Sequence, residues 1–427
     1  LFYSILASRL AFGSELGVFK ALAQWPLQIC APAFQQYVEC GYVPGSRSIL
    51  EGVQRLAAGH YAVWDRAGLR SHRYWSLPHQ PTVRRSGSAV DAALELEADL
   101  REAVVCRLES DVPLGCFLSG GVDSSLVAAL AQESLSRRLE TYTVGFDHGT
   151  TSEAAHARAV AKHLGTDHHE LGVDASSVHR EFEEILSCAA EPVGDDSYVP
   201  TFLISRETRR HVTVAISGDG GDELFAGYTK YGQFQAARKL QRLPLPWELL
   251  ARCPWNDRMQ KSLQAIARPD AMELARWLST LWKRCEIDCL LVHPSAAAGP
   301  ADPFEQSWRL REGFPAIERW MLADMENYLE GDILTKVDRA SMAVGLEARS
   351  PFLDAEFVTR ALQWPVHAQL NGGGKAILKA MLARRLPARL FQRPKQGSGS
   401  AGPCAICSSA THRPNAFAAA GCFSPEP

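Results

Sequence analysis

Leu118-Ser119-Gly120-Gly121-Val122-Asp123-Ser124-Ser125 stands between Leu114–Leu118, which reads as a buried strand, and Ser124–Leu135, which reads as a helix. Glycines let a backbone approach an oxyanion, and Ser119, Ser124 and Ser125 add hydroxyl donors. A helix N-terminus supplies free N–H groups and partial positive charge. The stretch is therefore a phosphate or pyrophosphate cradle, although no G-x-x-x-x-G-K-[ST] P-loop is present. Asp123 would repel a bare phosphate, so Mg²⁺ between them is the economical expectation.

The pattern continues to alternate on the C-terminal side. Thr141–Phe146 reads as a strand, Ser152–Leu164 as a helix and His168–Val173 as a short strand. Helices are expected over 176–188 and 198–210, and Val212–Ile216 is a further strand. Strands separated by helices of this length predict an α/β fold with a doubly wound parallel sheet. Beyond Tyr228 helical patterns dominate to about residue 390. On the N-terminal side, Leu96, Leu100, Val104 and Leu108 recur every four residues and predict a helix. Before it, residues 78–90 are polar and rich in turn formers, as a linker is. Tyr61–Asp65 alternates as a strand within a mixed segment, 1–77. Residues 398–427 lack periodicity and are expected to be a disordered tail.

Three further stretches carry chemistry. Ile216-Ser217-Gly218-Asp219-Gly220-Gly221-Asp222-Glu223-Leu224-Phe225-Ala226-Gly227-Tyr228 also follows a strand. Its three acidic residues in five positions suit Mg²⁺ or a reacting carboxylate; read alone it is equally an acidic turn. Gly331–Met342 and Leu346–Asp354 crowd charges among apolar residues, which on physics alone means paired, partly buried ions. Gly372-Gly373-Gly374-Lys375 either reaches into a site or is a solvated turn.

Composition narrows the classes. The chain has 427 residues, 46% apolar and 22% charged, with formal net charge −3. That excludes a disordered or collagenous chain and favours neither nucleic acid nor an anionic membrane as partner. No apolar run spans a bilayer. The 11 cysteines are scattered without a framework, so a reducing cytoplasm is expected.

Together these stretches resemble the asparagine synthetase family, glutamine-dependent amidotransferases with an ATP pyrophosphatase domain. Ser119–Ser125 resembles its pyrophosphatase motif, and Ser217–Glu223 with Phe225 and Tyr228 its second nucleotide loop. Asp338–Asp354, Gly374–Lys379 and Arg393–Gly397 also match, and Phe12–Leu16 and Gly41–Pro44 resemble the later part of its glutaminase domain. The resemblance implies a remnant of that glutaminase domain over 1–77. It also implies a synthetase domain over 91–397, of the adenine nucleotide alpha hydrolase-like type with a helical C-terminal half. It further implies adenylation of aspartate by ATP, release of pyrophosphate, and attack by ammonia to give asparagine. By matching position, Leu118 and Val144 contact the nucleotide through backbone, and Ser119, Gly120, Gly121, Ser124 and Ser125 form its cradle. Ser217 and Gly218 line the same pocket. Asp123 and Asp222 hold Mg²⁺. Asp219 takes the place of an acidic residue, usually Glu, tied to forming the acyl-AMP, and Lys375 that of a lysine on the activated intermediate. A homodimer is compatible with the resemblance.

The family's glutaminase uses an N-terminal Cys activated by its own α-amine. Residue 1 here is Leu and the first cysteine is Cys30, so loss of glutaminase activity and use of free ammonia are expected. Two other readings stay open. One is an amidotransferase acting on a sugar acid or a β-lactam precursor, and the other is an inactive truncated chain that binds nucleotide.

Overall fold

The computed structural model describes residues 1–392 except 23, 24, 26, 82, 83, 147–152, 174, 254, 284, 285, 288–301 and 371. The expected tail 398–427 and the Arg393–Gly397 motif lie outside the described residues.

Residues 1–77 form two small antiparallel units. Strands β1 (Phe2–Leu6), β2 (Arg9–Gly13) and β3 (Gln54–Arg55) make a sheet in the order β2-β1-β3, and β4 (His60–Asp65) pairs with β5 (Gly68–Arg73) as a hairpin. Helix Ala31–Cys40 ends at Gly41 in the left-handed region, as helix C-termini commonly do. The helix Ala89–Leu108 starts inside the expected linker. Its start is set by a reciprocal cap, in which the Ser88 side chain accepts from the Asp91 N–H and Asp91 accepts from the Ser88 N–H. Its buried stripe includes Leu96, Leu100 and Val104, as the spacing predicts.

The second sheet holds five strands: β6 (Leu114–Phe117), β7 (Glu140–Phe146), β8 (Asp167–Val173), β9 (Val214–Ile216) and β10 (Glu347–Arg349). Their order is β10-β9-β6-β7-β8, and every pairing is parallel. The chain steps outward from β6 to β7 and β8, then returns to place β9 and β10 on the other side. β6 and β9 therefore flank the point where the winding reverses, which is where open parallel sheets bind ligands. Both faces are covered. Val214 and Ile216 pack in the main core with Leu96, Leu126 and Ile377, while Ala215 packs in a second cluster with Tyr142 and Leu346. This double burial is why β6 and β9 read as apolar runs rather than alternations.

β10 lies within the half that was expected to be dominated by helices. Glu347-Ala348-Arg349 is too short and too polar to carry a strand signature, and it is recruited by its parallel register on Val214–Ile216. The helical run Ala316–Asp324, Met325–Leu334, Thr335–Met342 is π-helical in its middle segment, a form that is rare and concentrates at functional sites. Its last segment meets the N-terminal part of the chain. Arg339 pairs with Glu191 at 3.1 Å, Glu191 with Arg55 at 3.3 Å, and Arg339 also donates to the Ser14 carbonyl at 3.0 Å. All three paired side chains are buried, so removing one would leave an uncompensated charge away from water. No helix among the described residues is long and apolar enough to cross a membrane.

Candidate active site

The loop after β6 runs straight into the helix Val122–Ser134. That helix has Gly121 as N-cap with no side-chain cap, and its N-terminus carries the partial positive charge that suits an anion. The Ser119 and Ser124 hydroxyls lie 3.0 Å apart, Ser124 Oγ accepts from the Ser119 N–H at 3.2 Å, and Ser119 Oγ accepts from the Gly121 N–H at 3.3 Å. Leu118 is buried and donates its N–H to Tyr142 on β7 at 2.8 Å. Val144 lies two residues further along β7, half-buried. Ser125 is wholly buried, whereas Ser124 keeps 8% of its surface exposed.

The loop after β9 lies on the start of that same helix. A Cβ at Gly218 would sit 2.9 Å from Asp123 Cβ, and one at Gly221 would sit 2.8 Å from the Asp123 carboxyl group. Only glycine permits this approach, which brings Asp123 and Asp222 from neighbouring strand ends into one place. The loop is pinned from β10. The Ser217 N–H donates to the Arg349 carbonyl at 2.8 Å, and the Ser350 hydroxyl donates to the Asp219 carbonyl at 2.5 Å. The Asp219 carboxyl is pushed up by burial, with the Ser217 hydroxyl and the Lys336 charge pulling the other way and Asp222 adding to the rise. Glu223 is 1% exposed and accepts from the Tyr228 hydroxyl at 2.5 Å. Burial pushes its carboxyl up to about 7 despite that hydrogen bond.

Lys375 arrives from a distant part of the chain and completes the site. Gly372, Gly373, Gly374 and Lys375 all have positive φ, 65°, 82°, 88° and 56°, the last being uncommon for a residue with a side chain. The Lys375 N–H donates to the Phe225 carbonyl at 2.9 Å. Its ammonium contacts Asp123 and lies 2.7 Å from Asp222 Oδ1. Burial works against its charge, but the two carboxylates outweigh burial and hold the ammonium above the ordinary lysine range. Lys375 is 8% exposed, so the solvated-turn reading is excluded. Gly374→Ala would test the loop, because a Cβ there would lie 2.2 Å from the Ala226 carbonyl oxygen at a φ of +88°. Strain of this kind costs on the order of 1–3 kcal/mol. A lower Tm with loss of turnover is the expected result, and a variant with wild-type values of both would show that the loop tolerates displacement.

The charge-dense third stretch resolves into paired ions, as charge alone suggested. Lys336 pairs with Asp195 at 2.8 Å and donates to Ser197 Oγ at 2.7 Å, and Arg107 pairs with Asp354 at 3.0 Å. Ser350, Asp195 and the Tyr228–Glu223 pair support the site but had no assigned role from sequence. Tyr228 and Glu223 were foreshadowed by their place in the loop motif, and Ser350 lay in the charge-dense stretch Leu346–Asp354.

The asparagine synthase family model matches residues 95–410, well over half of the chain, and the glutamine amidotransferase domain model matches residues 1–75. A Mycobacterium tuberculosis protein, provisionally named an asparagine synthetase (glutamine-hydrolysing), is 31% identical over 384 residues, which is 86% of this chain and 57% of that protein. Asparagine synthetase (glutamine-hydrolysing) 1 of Bacillus subtilis is 26% identical over 404 residues, 93% of this chain and 63% of its own. Amidase chyE of Penicillium rubens is 28% identical over 286 residues, 63% of this chain and 41% of its own. This chain thus spans about three fifths of the length of the synthetases it matches. With its paired loops at the β6–β9 reversal and these matches over most of its length, the chain belongs to the asparagine synthase family.

Proposed function

We propose that this chain performs ATP-dependent amide synthesis, with aspartate as the acid and asparagine as the product. The carrying observation is the convergence of Asp123, Asp222 and Lys375 at two neighbouring strand ends beside an uncapped helix N-terminus. A carboxylate oxygen of the acid attacks the α-phosphorus of ATP, and the bond to pyrophosphate breaks. Ammonia then attacks the acyl carbon, AMP leaves, and a proton is lost from nitrogen. Both steps build negative charge on oxygen, which fixed donors and cations stabilise without reorganising.

In this reading Leu118, Val144, Ser217 and Gly218 surround the nucleotide, and Ser119, Gly120, Gly121 and Ser124 with the helix N-terminus receive its phosphates. Ser125, being interior, acts through packing. Two aspartates converging on one cation are a hard-oxygen donor set of the kind that binds Mg²⁺ together with substrate phosphates, so Asp123 and Asp222 would hold it. Mg²⁺, when bound, supplies neutralisation of charge on the departing pyrophosphate. Asp219 orients the reacting carboxylate, and Lys375 stabilises charge on the activated intermediate. We assign residues 91–397 to a synthetase unit of the ATP pyrophosphatase type and 1–77 to part of a glutaminase unit, joined through 78–90.

A second reading keeps the chemistry and changes the acid. The likeness to a protein named as an amidase favours testing it. Acid-dependent exchange between ATP and labelled pyrophosphate separates the readings. Exchange with aspartate at least about tenfold above the acid-free rate is expected. Exchange with another carboxylate alone would move the assignment to that acid, and exchange with no acid would overturn the proposal.

A further inference from the structure

Lys230 lies in the first turn of the helix Thr229–Leu240, two residues after Tyr228. Its ammonium is 2.7 Å from Asp324 and faces four aromatic rings, with centroids at 4.7 Å (Tyr328), 5.1 Å (Tyr228), 5.4 Å (Trp320) and 5.6 Å (Tyr231). The Tyr231 hydroxyl donates to the same Asp324 carboxylate at 2.7 Å. Lysine stems on a protein surface ordinarily carry the ammonium out to water. Here the charge is turned inward and held by ring faces and one buried carboxylate, an arrangement whose attraction grows as water is excluded.

Tyr228 joins this cage to the active site. Its ring meets Tyr328 edge-on at 5.8 Å and 70°. Its hydroxyl donates to Glu223, which is next in sequence to Asp222 and is too buried to turn toward solvent. Tyr328 in turn packs against Tyr42 of the N-terminal part of the chain at 6.0 Å. The cage therefore sits between that part and the loop carrying Asp222, although Lys230 itself belongs to neither nucleotide loop.

We infer that Lys230 is a positioning residue for the loop that carries Asp222: its caged ammonium fixes the Tyr228 ring, and Tyr228 fixes Glu223. This rests on the amide-forming reading of the site. Lys230→Met is expected to lower kcat for ammonium-dependent pyrophosphate release by about tenfold or more while the KM for ATP stays within about twofold. Lys230→Met also leaves Asp324 buried without its cation, so Tm falls. Lys230→Arg keeps a cation that favours aromatic faces and recovers most of kcat. The double variant Lys230→Met/Asp324→Asn removes both charges. Its Tm is expected to return toward wild type while its kcat stays low. If kcat returns together with Tm in that variant, Lys230 is a structural ion and the inference fails. It fails equally if Lys230→Met leaves kcat within twofold of an active wild type. A wild type inactive with every acid removes the functional reading itself, and this inference with it.

Discussion

Lys375→Ala is expected to lower kcat by about 10²–10³-fold, the range seen when one fixed stabiliser of transition-state charge is lost, with the KM for ATP changing by about threefold or less. The reason lies in where the ammonium sits. It touches Asp123 and lies 2.7 Å from Asp222, so it is the counter-charge that lets two half-buried carboxylates share one place. Removing it has two separable consequences. Without Mg²⁺, Asp123 and Asp222 face each other with less compensation, and Tm should fall. With Mg²⁺ and ATP present, the metal supplies that compensation, and the Tm difference from wild type should shrink. Turnover should not recover in parallel, because a cation acting on the intermediate is still missing. Steady-state kinetics and thermal unfolding, each with and without Mg²⁺ and ATP, separate the two. A raised KM for ATP with unchanged kcat would place Lys375 in ground-state nucleotide binding instead.

The parts of this site that were legible in the sequence are those fixed by short-range rules. Strand, glycine-serine loop and helix follow one another within Leu114–Ser134, and the same sequence of events recurs at Val214–Leu224. Chain-local hydrophobicity and turn chemistry therefore located both loops to within a residue or two. What local signals could not give depends on long-range pairing, and only the family resemblance placed Lys375 in the same site as Asp123. Lys375 and Asp123 are 252 positions apart, and nothing near either residue signals the other. The same applies to Ser350 and Asp219, separated by 131 positions, and to the cage around Lys230, whose rings come from Tyr228 and Tyr231 on one side and from Trp320 and Tyr328, far along the chain, on the other. β10 escaped notice because three residues of ordinary composition become a strand only through the neighbour that recruits them. Ser125 was grouped with Ser119 and Ser124 by motif, but helical rotation turns it into the core. A one-dimensional motif cannot state which of three serines turns into the interior.

Asp222→Asn and Asp123→Asn are each expected to suppress pyrophosphate release by about 10²–10⁴-fold, since losing a metal ligand removes several kcal/mol of charge stabilisation. Asparagine keeps the volume of aspartate and an oxygen to accept from Lys375, so folding should survive both changes. The decisive readout is the dependence on Mg²⁺. In the proposed site both carboxylates are ligands, and Lys375 is their counter-ion when the metal is absent. Replacing either one weakens Mg²⁺ binding, so the Mg²⁺ concentration for half-maximal rate should rise well above the wild-type value. If instead the aspartates serve only to hold Lys375, the rate falls while that concentration stays put. Asp222 sharpens the comparison, because it comes from the loop after β9 and its carboxylate is held at 2.7 Å by the same ammonium. A shift in Mg²⁺ dependence for Asp123→Asn alone would leave one ligand on the helix after β6 and reduce Asp222 to an electrostatic partner. Near-normal turnover of both variants at saturating Mg²⁺ would remove the metal assignment altogether.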